Sequence, residues 1–201
     1  MSRYLLYLFS AIFHPLLMPL FGLYLLFNSG IFMVYIPFEL KKSIYITIIL
    51  STIVLPLLFI PFLRFFKLIN NLQMEEKRER VFPLIIAAVL YFLTYYWFKH
   101  YAFSMIFQSF MLSISIITFI LFIISFFWKV SLHMAGIGGL TGLIFIMSFQ
   151  LEQHYLMAII FVIAISGILG TVRLLMGAHK PPQIYAGYFL GLITVLILTR
   201  F

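Results

Sequence analysis

The sequence predicts an all-α protein, a polytopic transmembrane bundle of six or seven helices. Of 201 residues, 65% are hydrophobic and only 9% charged, which is too little polar surface to coat a soluble globule. The apolar residues also gather in long stretches, and a bilayer-spanning helix takes ~20 of them. None of the connections is a Pro-, Ser- or Gly-rich linker, so residues 1–201 read as one integral membrane domain.

Seven apolar segments follow in order, near 4–27, 43–66, 83–98, 103–128, 134–150, 155–175 and 184–199. The first is long, is interrupted by His14-Pro15 and lacks a small-residue cleavage pattern, so it reads as a membrane helix and not a cleaved leader. Pro15 and Pro19 in the first segment and Pro56 in the second are expected to kink their helices. The third and fifth segments are about 16 or 17 residues long, short for a lipid-facing span. Tilting, partial re-entry or enclosure within the bundle would accommodate them, and these two leave the count at six or seven.

The composition removes several kinds of chemistry. There is no Cys and no Asp, and the five acids are Glu39, Glu75, Glu76, Glu79 and Glu152. Thiolate sites and a Cys nucleophile are excluded, and a carboxylate di-metal cage or paired-carboxylate hydrolase is not supported. Neither a metal nor another cofactor is called for. The net charge of +8 suits anionic lipid headgroups or a phosphorylated ligand before nucleic acid.

With strictly alternating spans, the joints at 67–82, 129–133 and 176–183 open on one side of the membrane, and they hold most of the charge. The first carries Lys77, Arg78, Glu79 and Arg80 before Pro83. The second reads Lys129-Val130-Ser131-Leu132-His133, leading into Gly136, Gly138, Gly139 and Gly142. The third runs from Arg173 through Gly177-Ala178-His179-Lys180-Pro181-Pro182-Gln183. Two His, several cations, a Ser and helix starts at one surface suit a phosphate. A His can attack phosphorus, a second can protonate the departing oxygen, and Arg or Lys can neutralise the equatorial oxygens.

The third joint resembles the last signature of the type 2 phosphatidic acid phosphatase superfamily, Ser-Arg, five residues, His, three residues, Asp. Arg173 and His179 have its spacing, and Gly177 to Pro182 followed by Ala186-Gly187 is similar to the family's Leu-Gly-Val-His-Tyr-Pro and later Ala-Gly. Ser131-Leu132-His133 resembles the family's Pro-Ser-Gly-His. The likeness is strongest over residues 129–199. It implies that His179 is the nucleophile, His133 the acid for the leaving group, and Arg173 with Ser131 the phosphate binders. Gln183 stands where the family has Asp and would orient His179; Val172 stands where it has Ser. The family's first signature, Lys, six residues, Arg-Pro, is not met, and Lys77, Arg78 and Arg80 are left as candidates for its phosphate-binding role.

The resemblance implies a membrane-embedded, metal-independent hydrolase of a lipid phosphate or diphosphate, working through a phosphohistidine, with membrane lipids around it. It also implies an outer-face site in a bacterial cytoplasmic membrane. The positive-inside rule, with nine basic residues on the motif side and Lys41, Lys42, Lys99 and Arg200 on the other, argues for the cytoplasmic face. The alternative function is a phospholipid-binding or lipid-transport relative that has lost turnover along with the Asp; a di-His haem protein is a weaker reading. His14 is an intramembrane ionisable residue. His100 and His154, beside Tyr101 and Tyr155, read as interfacial, the glycines as helix-packing positions, and the three Glu of 75–79 as partners in solvated pairs.

Overall fold

The computed structural model describes residues 3–28, 36–70, 76–101, 103–150 and 155–199. Seven helical segments among them are long and apolar enough to cross a membrane. The protein is an all-α integral membrane bundle, at the upper end of the expected count.

The first span is α1 (Arg3–Ile12) and α2 (Met18–Phe27), separated at His14 by a 3-10 turn over Pro15–Leu17. Pro15 therefore does more than kink the helix, while Pro19 sits in the first turn of α2, where no partner is needed for its missing N–H. The second span joins α3 (Phe38–Ile49) to α4 (Leu55–Phe65) through a π turn at Leu50–Val54, just before Pro56. Its start takes in Lys41 and Lys42, five residues ahead of the apolar run. A 3-10 turn at Arg78–Arg80 leads into α5 (Val81–His100), followed by α6 (Met105–Ser125), α7 (Leu132–Gln150), α8 (Leu156–Leu175) and α9 (Pro181–Leu198). The third segment is thus a full span, because Lys99 and His100 stay helical beyond the apolar run. Pro181 and Pro182 start α9 three residues earlier than hydropathy suggests, as their fixed φ suits a first turn.

The fifth segment is short because it is wrapped inside the bundle: 67% of the α7 span is enclosed, against 22% for α9. Glycines set this arrangement. A methyl group on Gly138 would strike the Tyr188 carbonyl and one on Gly191 the Ala135 carbonyl, while one on Gly142 would lie 2.9 Å from the Leu192 oxygen. Backbones approach this closely only where side chains are absent, and the gain is van der Waals contact that lipid cannot supply. On the other flank, Ser115 Oγ donates to the Ala88 carbonyl at 2.9 Å, joining α6 to α5. Two apolar cores result, one around Leu23, Ile48, Phe107 and Leu143, the other around Met18, Ile137, Val162 and Leu169. Outward-facing Phe, Leu and Ile cover the lipid side.

Candidate functional site

The site forms where α7 and α9 begin, α8 ends and α5 enters. Gly187 Cα lies so near the start of α7 that an added methyl would sit 2.5 Å from the Ser131 carbonyl. The same approach lets Ser131 N–H donate to the Gln183 carbonyl at 3.1 Å. Between α8 and α9 the chain reverses through Gly177, whose φ of 65° is left-handed. Gly177 N–H and Ala178 N–H close onto the Leu174 and Arg173 carbonyls, and His179 is turned back beneath the bundle end.

His179 is 7% exposed. Its Nδ1 lies 3.2 Å from the Lys129 carbonyl and 3.3 Å from Gln183 Oε1. Gln183 Oε1 also accepts from Lys180 N–H at 2.9 Å, which identifies that atom as the amide oxygen. Both neighbours of Nδ1 are acceptors, so Nδ1 carries the proton and the lone pair of the neutral ring is on Nε2. Burial pushes the His179 pKa down to about 4, helped by Arg80 and Arg173 and opposed by the bonds to Gln183 and Lys129. At neutral pH the ring is a neutral base, protonated on Nδ1 alone, with a fixed tautomer.

Arg80 is the member of the basic run that reaches the site. It is buried and its Nη1 donates to the Val130 carbonyl at 3.1 Å, whereas Arg78 is exposed and Lys77 Nζ donates to the Phe127 carbonyl at 3.3 Å. Glu79 is no partner in a solvated pair: its buried carboxylate accepts from Asn70 N–H at 2.8 Å and Glu76 N–H at 3.4 Å, tying down the 67–82 joint that presents Arg80. Glu75 and His154 lie outside the described residues. Ser131 is fully buried and caps α7, its Oγ accepting from Met134 N–H at 3.5 Å, and it does not line the cavity.

On the opposite wall, Arg173 Nη1 donates to Ser10 Oγ at 2.9 Å, and its Nε is buried with no hydrogen-bond partner among the described residues. His133 Nε2 lies 3.1 Å from Ser10 Oγ and 3.2 Å from the Ser10 carbonyl. Because a carbonyl only accepts, Nε2 carries the His133 proton and donates it there. The His14 ring stands edge-on to His133, with centroids 5.4 Å apart. Ser10 and His14 extend the constellation beyond the three joints. Their i, i+4 spacing, which in an unbroken helix would put both on one face, is the signal that could have found Ser10, although the structure breaks the helix at His14.

These groups line one end of a cavity of about 220 Å³. Arg80, Arg173, His14, His133 and His179 face it, and no carboxylate does among the described residues. The remaining wall is apolar, with Leu57 and Ile60 from α4, Ala87 and Tyr91 from α5, and Ile114 and Leu121 from α6. From Arg80 to Tyr91 the chain rises about 16 Å at 1.5 Å per residue, half the ~30 Å hydrocarbon thickness. The cavity therefore offers cationic groups at one end and an apolar slot beyond them, the shape of an amphiphile with an anionic head. No group of three or more His, Cys, Asp or Glu residues among those described is placed to hold a metal ion. His100 ends α5 against Tyr101, as an interfacial residue does. No family model matches the chain, and no curated protein or solved structure is matched either.

Proposed function

We propose that the protein is a membrane-embedded lipid phosphatase that hydrolyses a lipid phosphate or diphosphate through a phosphohistidine at His179, as the resemblance to the type 2 phosphatidic acid phosphatases implies. One observation carries this reading. Burial and two guanidiniums keep His179 a neutral imidazole, and two acceptors on Nδ1 leave its Nε2 lone pair free, in a cavity that no acid lines among the described residues. That is what an in-line attack on an anionic phosphorus centre needs.

In the proposed reaction, His179 Nε2 forms the N–P bond as the P–O bond to the lipid breaks. Arg80 and Arg173 neutralise the equatorial oxygens, and the vacant Arg173 Nε supplies a donor without losing an existing bond. With the phosphoryl dianion bound, His133 takes a second proton on Nδ1 and gives it to the departing oxygen. Water then cleaves N–P, returning a proton to His133 and releasing phosphate. Gln183 keeps the His179 tautomer throughout. The outer face of a bacterial cytoplasmic membrane remains part of the proposal, on the resemblance alone.

Phosphate release by the purified protein from a panel of lipid phosphates and diphosphates, with chelator present, tests the reading. Release is expected, and its loss in His179→Ala with retained helicity. Turnover unchanged by that substitution refutes the mechanism. A second reading, a phospholipid-binding or transport protein without turnover, is favoured by the neutral Gln183, which cannot compensate charge on the His179 ring; binding across the panel without release selects it.

A further inference from the structure

The break in the first span brings a third histidine to the cavity. Non-helical backbone at membrane depth is tolerated where it lines a cavity, because its freed polar groups otherwise go unpaired. Here the break lies at His14, against Gly136 of α7, where an added methyl would be 2.8 Å from Met18 Cγ and 3.6 Å from Pro15 Cα. That glycine lets the 3-10 turn approach α7 closely enough to set His14 beside His133. The His14 ring is oriented by its own backbone: Nδ1 accepts from Leu16 N–H at 3.3 Å, capping the turn. The neutral ring therefore carries its proton on Nε2, the nitrogen at the far end from the cap. An imidazolium would set Nδ1–H against the Leu16 N–H, so this geometry suits the neutral form.

We propose that His14 is a substrate-binding residue of the site, a neutral imidazole whose Nε2–H donates to a phosphoryl oxygen. The assignment rests on the cavity binding a phosphoryl group, not on turnover. The wall around His14 already holds Arg173 from α8 and His133 from α7. A neutral donor adds a directed hydrogen bond there without adding a further positive charge, a use of imidazole known from other enzymes. Its role differs from that of His133, whose Nε2–H is spent on the Ser10 carbonyl.

Asn and Gln separate the two nitrogens of His14. His14→Asn keeps a side-chain acceptor near the cap and lacks the far donor; His14→Gln reaches the position of the far donor and gives up the cap. Binding of sodium orthovanadate to the detergent-solubilised protein is measured by calorimetry, alongside thermal stability. The expected result is binding weakened about tenfold to a hundredfold in His14→Asn, the cost of a hydrogen bond to a charged group, with wild-type stability, and binding within about threefold of wild type in His14→Gln. In the wild type, the Nε2 resonance of labelled His14 is expected to shift on vanadate addition, which requires no variant to fold. Wild-type affinity in His14→Asn, an equal loss in both variants, or an unmoved Nε2 resonance overturns the assignment. Failure of the wild type to bind vanadate overturns it together with the anion site, whereas vanadate binding without lipid turnover overturns only the phosphatase reading.

Discussion

Replacing Gln183 by Glu tests the pairing at the centre of the site. Gln and Glu have equal length, so the carboxylate keeps the bonds that Gln183 Oε1 makes to Lys180 N–H at 2.9 Å and His179 Nδ1 at 3.3 Å; an Asp is one methylene shorter. At 3.3 Å and an effective dielectric of about 20, a unit charge pair is worth roughly 5 kcal/mol. The cost of desolvating the new carboxylate reduces this, and an adjacent opposite charge raises a histidine pKa by roughly 1 to 3 units in practice. His179 starts at about 4, so the acid limb of kcat/KM is expected to move up by that amount. The limb reports loss of the unprotonated nucleophile as pH falls, so raising the pKa costs activity on the acid side only. Above the limb the rate rises, because attack on phosphorus puts positive charge on the ring and a carboxylate stabilises it. In the serine-protease analogue, the reverse change from Asp to Asn costs about 10⁴ in rate, which caps the gain; at least tenfold at pH 8 is expected. The assay is phosphate release across pH 4–9, with histidine NMR in detergent micelles reading the His179 titration independently of turnover. An unmoved limb and an unchanged rate in a folded Gln183→Glu protein would refute the assignment of His179 as the nucleophile.

Gly187→Leu drives a side chain into the Ser131 carbonyl and the start of α7; overpacking of this kind costs about 1–3 kcal/mol. It is expected to lower the thermal midpoint and to abolish phosphate release by breaking the Ser131 to Gln183 contact, and wild-type turnover would refute that role. Arg78→Cys, an exposed single thiol in a chain without Cys, is expected to react with a membrane-impermeant maleimide in intact cells; protection until the cells are permeabilised refutes the outer-face placement.

That placement stands against the charge distribution more sharply once the site is assembled. Setting aside Lys77, Arg78, Arg80, Lys129, Arg173 and Lys180, the six of the nine motif-side cations near enough in sequence to bind the ligand, would leave three against four and decide nothing. Only Arg80 and Arg173 line the cavity. Arg3, Arg64, Lys67, Lys77, Arg78, Lys129 and Lys180 then remain against Lys41, Lys42, Lys99 and Arg200, which favours the cytoplasmic side. The thiol experiment therefore decides between a resemblance and a charge rule, and a cytoplasmic result would redirect the substrate search to inner-leaflet lipids without touching the chemistry of His179.

The spans were legible because bilayer thickness imposes a length that hydropathy reads directly, and the errors fall where something other than hydropathy sets an end. α5 runs on through Lys99 and His100, which can remain helical at an interface, and α9 begins at two prolines that a hydropathy window discounts. His179, Arg173 and His133 were legible through spacing. The choice among Lys77, Arg78 and Arg80 was not, because a 3-10 turn and the buried Glu79 carboxylate decide which cation points inward. Ser131 reads alike as a ligand or a cap, and only its bond with Met134 N–H separates them. The groups that fix the histidines were the least legible. Two are backbone carbonyls, of Lys129 and Ser10, which no pattern of side chains reports. Ser10 and His14 reach the site from the opposite end of the chain, through a helix break whose purpose is visible only once Gly136 is seen to make room for it. If His14 binds phosphate, the His-Pro interruption of an otherwise apolar first span is a functional sequence feature, and its cost to the helix is offset at the site it serves.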